Sequence, residues 1–213
     1  MNQIIPSINC ENFECIKKRI ALASEFAPMM HVDISDGKFT PHVSWNNPEE
    51  FAEFFGANPP RFEVHLMVED PEVQADRWLR AGAKRLIVHL ESMGDLVYLI
   101  EKYKKYNAEI FLAINPATPV ERIFAHIDDF DGFLMLAVSP GPSGQSFKPE
   151  ILEKIKILKN KKSDVIIEID GGVNLETAKL AKEAGASLFV AGNFIFGSEN
   201  PKTAYMELID KIA

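Results

Sequence analysis

The chain has 213 residues, 46% of them hydrophobic and 25% charged, the range of a soluble globular protein with a sizeable core. A formal net charge of −8 argues against nucleic acid or an anionic membrane surface as a partner, because both call for a basic face. The opening "MNQIIPSINC" lacks a basic region followed by an apolar run, and no apolar stretch approaches the roughly 18 residues of a membrane span, so a cytoplasmic protein is expected.

In chain order, short apolar runs alternate with amphipathic segments from one end to the other. The first run is "IIPSIN" (4–9), followed by a helical pattern in "NFECIKKRIALASEF". Cys10 and Cys15, five apart around the end of that run, are the only cysteines; their spacing suggests neither a disulfide framework nor a metal knuckle, and both are expected to be reduced and buried. The runs "MHVDIS" (30–35), "RFEVHLM" (61–67), "RLIVHLE" (85–91) and "EIFLAIN" (109–115) follow, with helices expected in "DPEVQADRWLRAG" and "MGDLVYLIEKYKKY". The last are "GFLMLAV" (132–138), "DVIIEID" (164–170) and "SLFVAGN" (187–193), separated by "KPEILEKIKILKN" and "NLETAKLAKEAG".

Continuous apolar strands imply burial on both faces, hence a parallel sheet covered by helices. Eight such units in this length predict a TIM (β/α)8 barrel forming one domain over residues 1–213. A doubly wound open sheet is the rival, but "PSINCENF" is unlike the G-x-G-x-x-G turn that usually follows its first strand.

In a barrel the chemistry sits at the carboxyl ends of the strands. His31 and Asp33 are two apart, so both side chains share one face; His65 and Met67 do the same on the next run, and Asp170 ends "DVIIEID". One such histidine alone reads as a hydrogen-bonded core residue. Two imidazoles and two carboxylates on inward faces carry a heavy desolvation cost, and one divalent ion (Zn2+, Fe2+, Mn2+ or Co2+) offsets it. Three glycine turns, at 139–147, 170–174 and 191–197, close the later runs. Either they are ordinary turns or, clustered at strand ends, their backbone N–H groups bind a phosphate without basic side chains.

The segments "PSI" (6–8), "HVDISDGKFTP" (31–41), "EVHLMVEDP" (63–71), "INPATP" (114–119), "VSPGPSGQSF" (138–147), "EIDGGVN" (168–174) and "VAGNFIFG" (190–197) resemble those of ribulose-phosphate 3-epimerases in order and spacing. The resemblance implies a metal-dependent barrel enzyme of sugar-phosphate metabolism, a homo-oligomer, that converts D-ribulose 5-phosphate to D-xylulose 5-phosphate. It implies zinc or iron held by His31, Asp33, His65 and Asp170, with Asp33 and Asp170 also moving the protons at C3. It places Ser7, His65, Met67, Gly141, Gly144, Gly171, Gly172, Gly192 and Asn193 against the substrate. The chain departs from the family pattern at Ser35 and Leu136, where methionines are usual, and at Asn193, usually serine; this leaves another ketose phosphate open as substrate. A decarboxylase or aldol-type synthase on a related barrel is disfavoured, because "EVHLMVED" lacks the lysine of their D-x-K-x-x-D motif. A non-catalytic phosphosugar binder is the remaining alternative. His89 is read as touching substrate or, equally, as a supporting core residue; His42 and His126 are read as surface or loop residues, and Trp45 and Trp78 as packing residues.

Overall fold

The computed structural model describes residues 2–92, 94 and 96–213, and the side chains of all of these but 96–99 and 104. Strands β1 (Gln3–Ile8), β2 (Met30–Ser35), β3 (Phe62–Met67) and β4 (Arg85–His89) are followed by β5 (Glu109–Ile114), β6 (Gly132–Leu136), β7 (Ile167–Asp170) and β8 (Leu188–Ala191). Each pairs in parallel with the next, and β8 pairs with β1, so the sheet closes into the expected barrel. The connecting helices are α1 (Phe13–Ala23), α2 (Pro48–Phe55), α3 (Pro71–Arg80), α4 (Leu96–Tyr103), α5 (Ile151–Lys161) and α6 (Leu175–Ala184). The fifth crossover uses a 3₁₀ helix, Val120–His126, and the short α7 (Asn193–Phe196) and α8 (Pro201–Ile212) complete the chain. Among the described residues no helix is long and apolar enough to cross a membrane.

Alternation along the strands sorts two cores. Val32, Ile34, Val64, Leu66 and Val88 point outward to the helices, where Trp78 is fully buried and Trp45 stacks on Phe13 at 4.7 Å. Ile5, Ile87, Phe111, Leu134, Leu136 and Val190 fill part of the barrel's inside. The remainder of that inside is polar: His31, Asp33, Glu63, His65, Arg85, His89 and Glu168 are all buried.

Local chemistry ends the elements where it does. Pro48, Pro71 and Pro201 open α2, α3 and α8 at positions where a missing N–H costs nothing. Asn174 caps α6 by accepting from the Glu176 and Thr177 N–H groups, while Thr177 Oγ1 accepts from Asn174 N at 2.9 Å. That box anchors the loop leaving β7.

Several expectations are corrected. The seventh strand begins at Ile167 rather than 164, because Asp164 and Val165 are spent in the turn that brings Val165 N to Lys162 O. The eighth stops at Ala191, where Gly192 O already accepts from Ile195 and Phe196 N–H groups and starts α7. The fourth stops at His89, and Leu90–Ser92 turns in a 3₁₀ helix. Of the helix expected over 93–106, residues 93 and 95 lie outside the described residues; α4 covers Leu96–Tyr103.

The cysteines are not two free thiols. Cys10 and Cys15 form a disulfide, with Cα atoms 5.8 Å apart, and Cys15 is only partly buried. The chain reverses between β1 and α1, and the Asn12 side chain accepts from Cys15 N at 3.0 Å, which folds the first helical turn back towards Cys10. Sequence separation alone says nothing about such a reversal. Closing so short a loop stabilises by about 2 kcal/mol in the chain-entropy treatment. Protein denatured without reductant should therefore show no thiol reactive with a chromogenic disulfide reagent, and two per chain after reduction. Two reactive thiols without reductant would contradict the bridge.

Candidate active site

Strands β2, β3 and β7 bring four side chains to one point. In register, Asp33 lies opposite His65, and His31 stands two residues below Asp33 on the same face. His31 Nε2 lies 3.1 Å and His65 Nδ1 3.2 Å from the same oxygen, Asp33 Oδ1. Asp170 Oδ2 is 3.6 Å from His65 Nδ1. One donor atom from each of His31, Asp33, His65 and Asp170 fits within 4.8 Å of the others.

Three of these residues are held from behind. Ser7 Oγ donates to Asp33 Oδ2 at 2.7 Å, which leaves Oδ1 to the imidazoles. His31 Nδ1 is 2.7 Å from Glu63 Oε1, and an N–H directed there leaves Nε2 as the nitrogen that faces Asp33. His65 Nε2 is 2.8 Å from His89 Nε2, and His89 Nδ1 is 3.2 Å from Glu91 Oε2. Glu91 in turn accepts from Asn115 N at 2.9 Å and from Thr118 Oγ1. Carboxylate-backed imidazoles of this kind are the usual support of metal ligands.

Without a cation the four groups share an uncomfortable charge. Burial opposes ionisation of Asp33, but His31 and His65 more than compensate and hold its carboxyl far below the usual range. Burial, and then the Asp33 charge, push Asp170 up to about 7. Burial lowers His65 to about 4, its contact with Asp33 only partly opposing this. For His31 burial also works against charge, yet Asp33, Glu168 and Glu63 raise its pKa well above the ordinary imidazole value. A buried and a partly buried carboxylate with two converging imidazoles form a donor set of nitrogen and oxygen suited to a divalent first-row ion.

Above the cluster opens a cavity of about 490 Å³. Its wall includes Asp33 and Asp170 and, from the expected substrate-contacting residues, Ser7, Met67, Gly141, Gly144, Gly171, Gly172, Gly192 and Asn193. His65 is the exception: it is fully buried behind Asp33 and does not line the cavity. Gly172 adopts φ +67°, and a Cβ there would stand 2.8 Å from Phe147 N, so the turn after β7 fits against the 139–147 loop only without a side chain.

Some residues at the site escaped sequence reading. Glu63, Arg85 and Glu168 support His31, Glu91 backs His89, and Asn9 joins the mouth by donating to Gly141 O and accepting from His42 Nε2 at 3.0 Å. The signal for Glu63 was its two-residue spacing from His65, and for Arg85 its even spacing from His89. His42 lies in the loop after β2, as read, and is tied to the mouth through Asn9.

These features define a closed β/α barrel with a buried cluster that could bind a metal ion at its carboxyl end. Residues 3–196 match the family model described as the ribulose-phosphate 3 epimerase family. The chain is 36% identical over 214 residues to the ribulose-phosphate 3-epimerase of Bacillus subtilis (strain 168), covering 98% of each. It is 30% identical over 203 residues to the ribulose-phosphate 3-epimerase of Schizosaccharomyces pombe, covering 94% of this chain and 89% of the relative. The chain belongs to the ribulose-phosphate 3-epimerase family. Among solved structures, KGPDC from Streptococcus mutans superposes with a TM-score of 0.72 at 15% identity, over 99% of this chain and 97% of that one. A 3-hexulose-6-phosphate synthase does so at 0.69 and 18% identity, over all of both chains. At those identities the likeness is one of fold.

A metal taken up here must displace the proton on His31 and, below about pH 7, the one on Asp170. Both groups are raised, so ligation is opposed at low pH and freed as pH rises. Zinc affinity, measured against a chromophoric chelator, should increase about tenfold or more from pH 6 to pH 8, with proton release seen by calorimetry in two buffers. An affinity flat across that interval would contradict this charge arrangement.

Proposed function

We propose that this enzyme inverts C3 of a ketose phosphate, converting D-ribulose 5-phosphate to D-xylulose 5-phosphate, with Asp33 and Asp170 as acid and base and with His31, Asp33, His65 and Asp170 holding one divalent ion, zinc or iron ahead of manganese or cobalt. The observation that carries this reading is that Asp33 and Asp170 alone of the four donors open onto the cavity, while sharing the histidine cluster behind them. When bound, the ion supplies Lewis acidity beside the ketose oxygens, lowering the cost of the negative charge left by loss of the C3 proton.

The side chains do the rest. Inversion needs a proton taken from one face of the substrate and another delivered to the opposite face, so two carboxyl groups must flank the reacting carbon. Before an ion binds, their surroundings differ: Asp33 is held ionised by two imidazoles and by Ser7, while Asp170 keeps its proton more readily; which of the two takes the C3 proton is set by the direction of the reaction. Ser7, Met67, Gly141, Gly144, Gly171, Gly172, Gly192 and Asn193 are assigned to the substrate, the glycine loops taking its phosphate through backbone N–H groups. His65 is assigned to the metal and withdrawn from direct substrate contact. Leu136 lines the cavity and Ser35 is buried opposite Met67, so these two positions are where the choice among ketose phosphates would be made. We further infer a single domain over 1–213, a homo-oligomer, and a cytoplasmic place alongside other sugar-phosphate enzymes.

Incubation in D2O with D-ribulose 5-phosphate and with hexulose phosphates should give metal-dependent deuterium at C3, fastest with the preferred substrate. Asp170→Asn should lower kcat by about 10²–10⁴, the usual worth of one positioned acid or base. Absence of exchange with every pentulose and hexulose phosphate, in protein shown to hold metal, would sink the reading.

A further inference from the structure

Beneath the candidate ligands lies a second polar layer that proton transfer does not use. Glu63, Arg85 and Glu168 enter the barrel from β3, β4 and β7, and both glutamates are fully buried. Arg85 Nη1 lies 2.5 Å from Glu63 Oε2 and 3.1 Å from Glu168 Oε2. Its Nε and Nη2 reach Glu109 Oε2 at 2.9 and 2.8 Å, and its guanidinium carbon stands 4.2 Å from the centre of the Phe111 ring. All three guanidinium nitrogens are thus engaged, and the plane is fixed against an aromatic face.

The remaining oxygens of the two glutamates face His31. Glu63 Oε1 is 2.7 Å and Glu168 Oε1 3.4 Å from Nδ1. One cation therefore holds both glutamates, and Glu63 in turn accepts from one edge of the imidazole, with Glu168 Oε1 alongside it. The edge facing the glutamates is fixed as N–H, so Nε2, 3.1 Å from Asp33 Oδ1, is the nitrogen whose proton an ion beside Asp33 would replace. Without the guanidinium, two buried carboxylates side by side repel each other, and neither has a reason to keep its present orientation.

We propose that Arg85 is a positioning residue for the metal centre: through Glu63 and Glu168 it fixes the orientation of His31, and so sets how tightly the cluster holds a divalent ion. This rests on the reading of His31, Asp33, His65 and Asp170 as metal ligands. Arg85 does not line the cavity and is not a catalytic residue. Direct Coulomb repulsion makes the opposite prediction, because removing a cation near a dication should tighten binding. The sign of the effect therefore separates orientation from bare charge.

The test is Co2+ titration of chelator-stripped protein, followed by the visible bands that report coordination geometry. Arg85→Met should weaken Co2+ binding 10- to 100-fold, the usual loss when a ligand's support is removed, and alter the bands. Arg85→Lys, which keeps a cation near both glutamates, should recover most of the loss, and inorganic phosphate should bind all variants alike. A folded Arg85→Met protein with unchanged or tighter Co2+ binding and the parent bands would overturn the proposal. Should Arg85→Met fail to fold, Glu63→Gln, isosteric but deprived of the charge linking Arg85 to His31, reads the same connection; parent affinity in that variant overturns it equally. A parent protein that binds no Co2+ at all would remove the metal reading itself, which distinguishes that failure from a failure of Arg85's role.

Discussion

The constraint on which this molecule turns is the presence of four carboxylates, Asp33, Asp170, Glu63 and Glu168, inside one barrel. Each is removed from most or all of its water, and an isolated buried carboxylate is costly enough to take a proton instead of ionising. The strain shows where compensation is thinnest: burial, together with a neighbouring carboxylate, pushes Glu168 up to about 8 and Asp170 to about 7. Asp33 and Glu63, each against an imidazole, go the other way. The interior is therefore graded within each layer, one carboxyl held ionised beside one that keeps its proton, with Arg85 beside the lower pair and the upper pair left for a dication to neutralise.

That grading explains the division of the barrel into halves. Ile5, Phe111, Leu134 and Val190 pack the side formed by β1, β5, β6 and β8, and bring no charge to it. On the β2, β3 and β4 side every inward position but Ile87 and Met67 is polar, and almost every such group has a partner. An apolar half gives rigidity, since close packing fixes strand positions to within fractions of an ångström. The polar half uses that rigidity. A hydrogen bond such as Ser7 to Asp33, made between adjacent strands, keeps its 2.7 Å only if the sheet beneath does not shift.

How far all this could be read from the sequence depends on how local the signal is. The barrel was legible because eight apolar runs each announce a buried strand, and His31, Asp33, His65 and Asp170 were legible because two-residue spacing and strand ends are local properties. Glu63 and Arg85 carry the same even spacing, from His65 and His89, but sit at strand beginnings, where a charged residue ordinarily marks the boundary with solvent. Only closure of the sheet turns them inward to meet Glu168, which is 83 residues from Arg85 along the chain. The Cys10–Cys15 bridge was hidden for a related reason: whether five residues reverse or extend is decided by the helix cap at Asn12, and spacing alone does not carry it.

The same topology bears on how an acidic protein would handle an anionic substrate. The glycine loops after β6, β7 and β8 stand on one side of the cavity, and they present backbone, whose N–H groups attract an anion without requiring a cationic side chain near Asp33 and Asp170. A lysine or arginine beside those aspartates would compete with a dication for them. The cation of the interior is instead placed a layer lower, at Arg85, where it serves the glutamates and touches neither aspartate. In the proposed reaction the phosphate is anchored by backbone N–H groups that bring no side-chain charge to the acid and base, and the cation that compensates the barrel's interior lies beneath them.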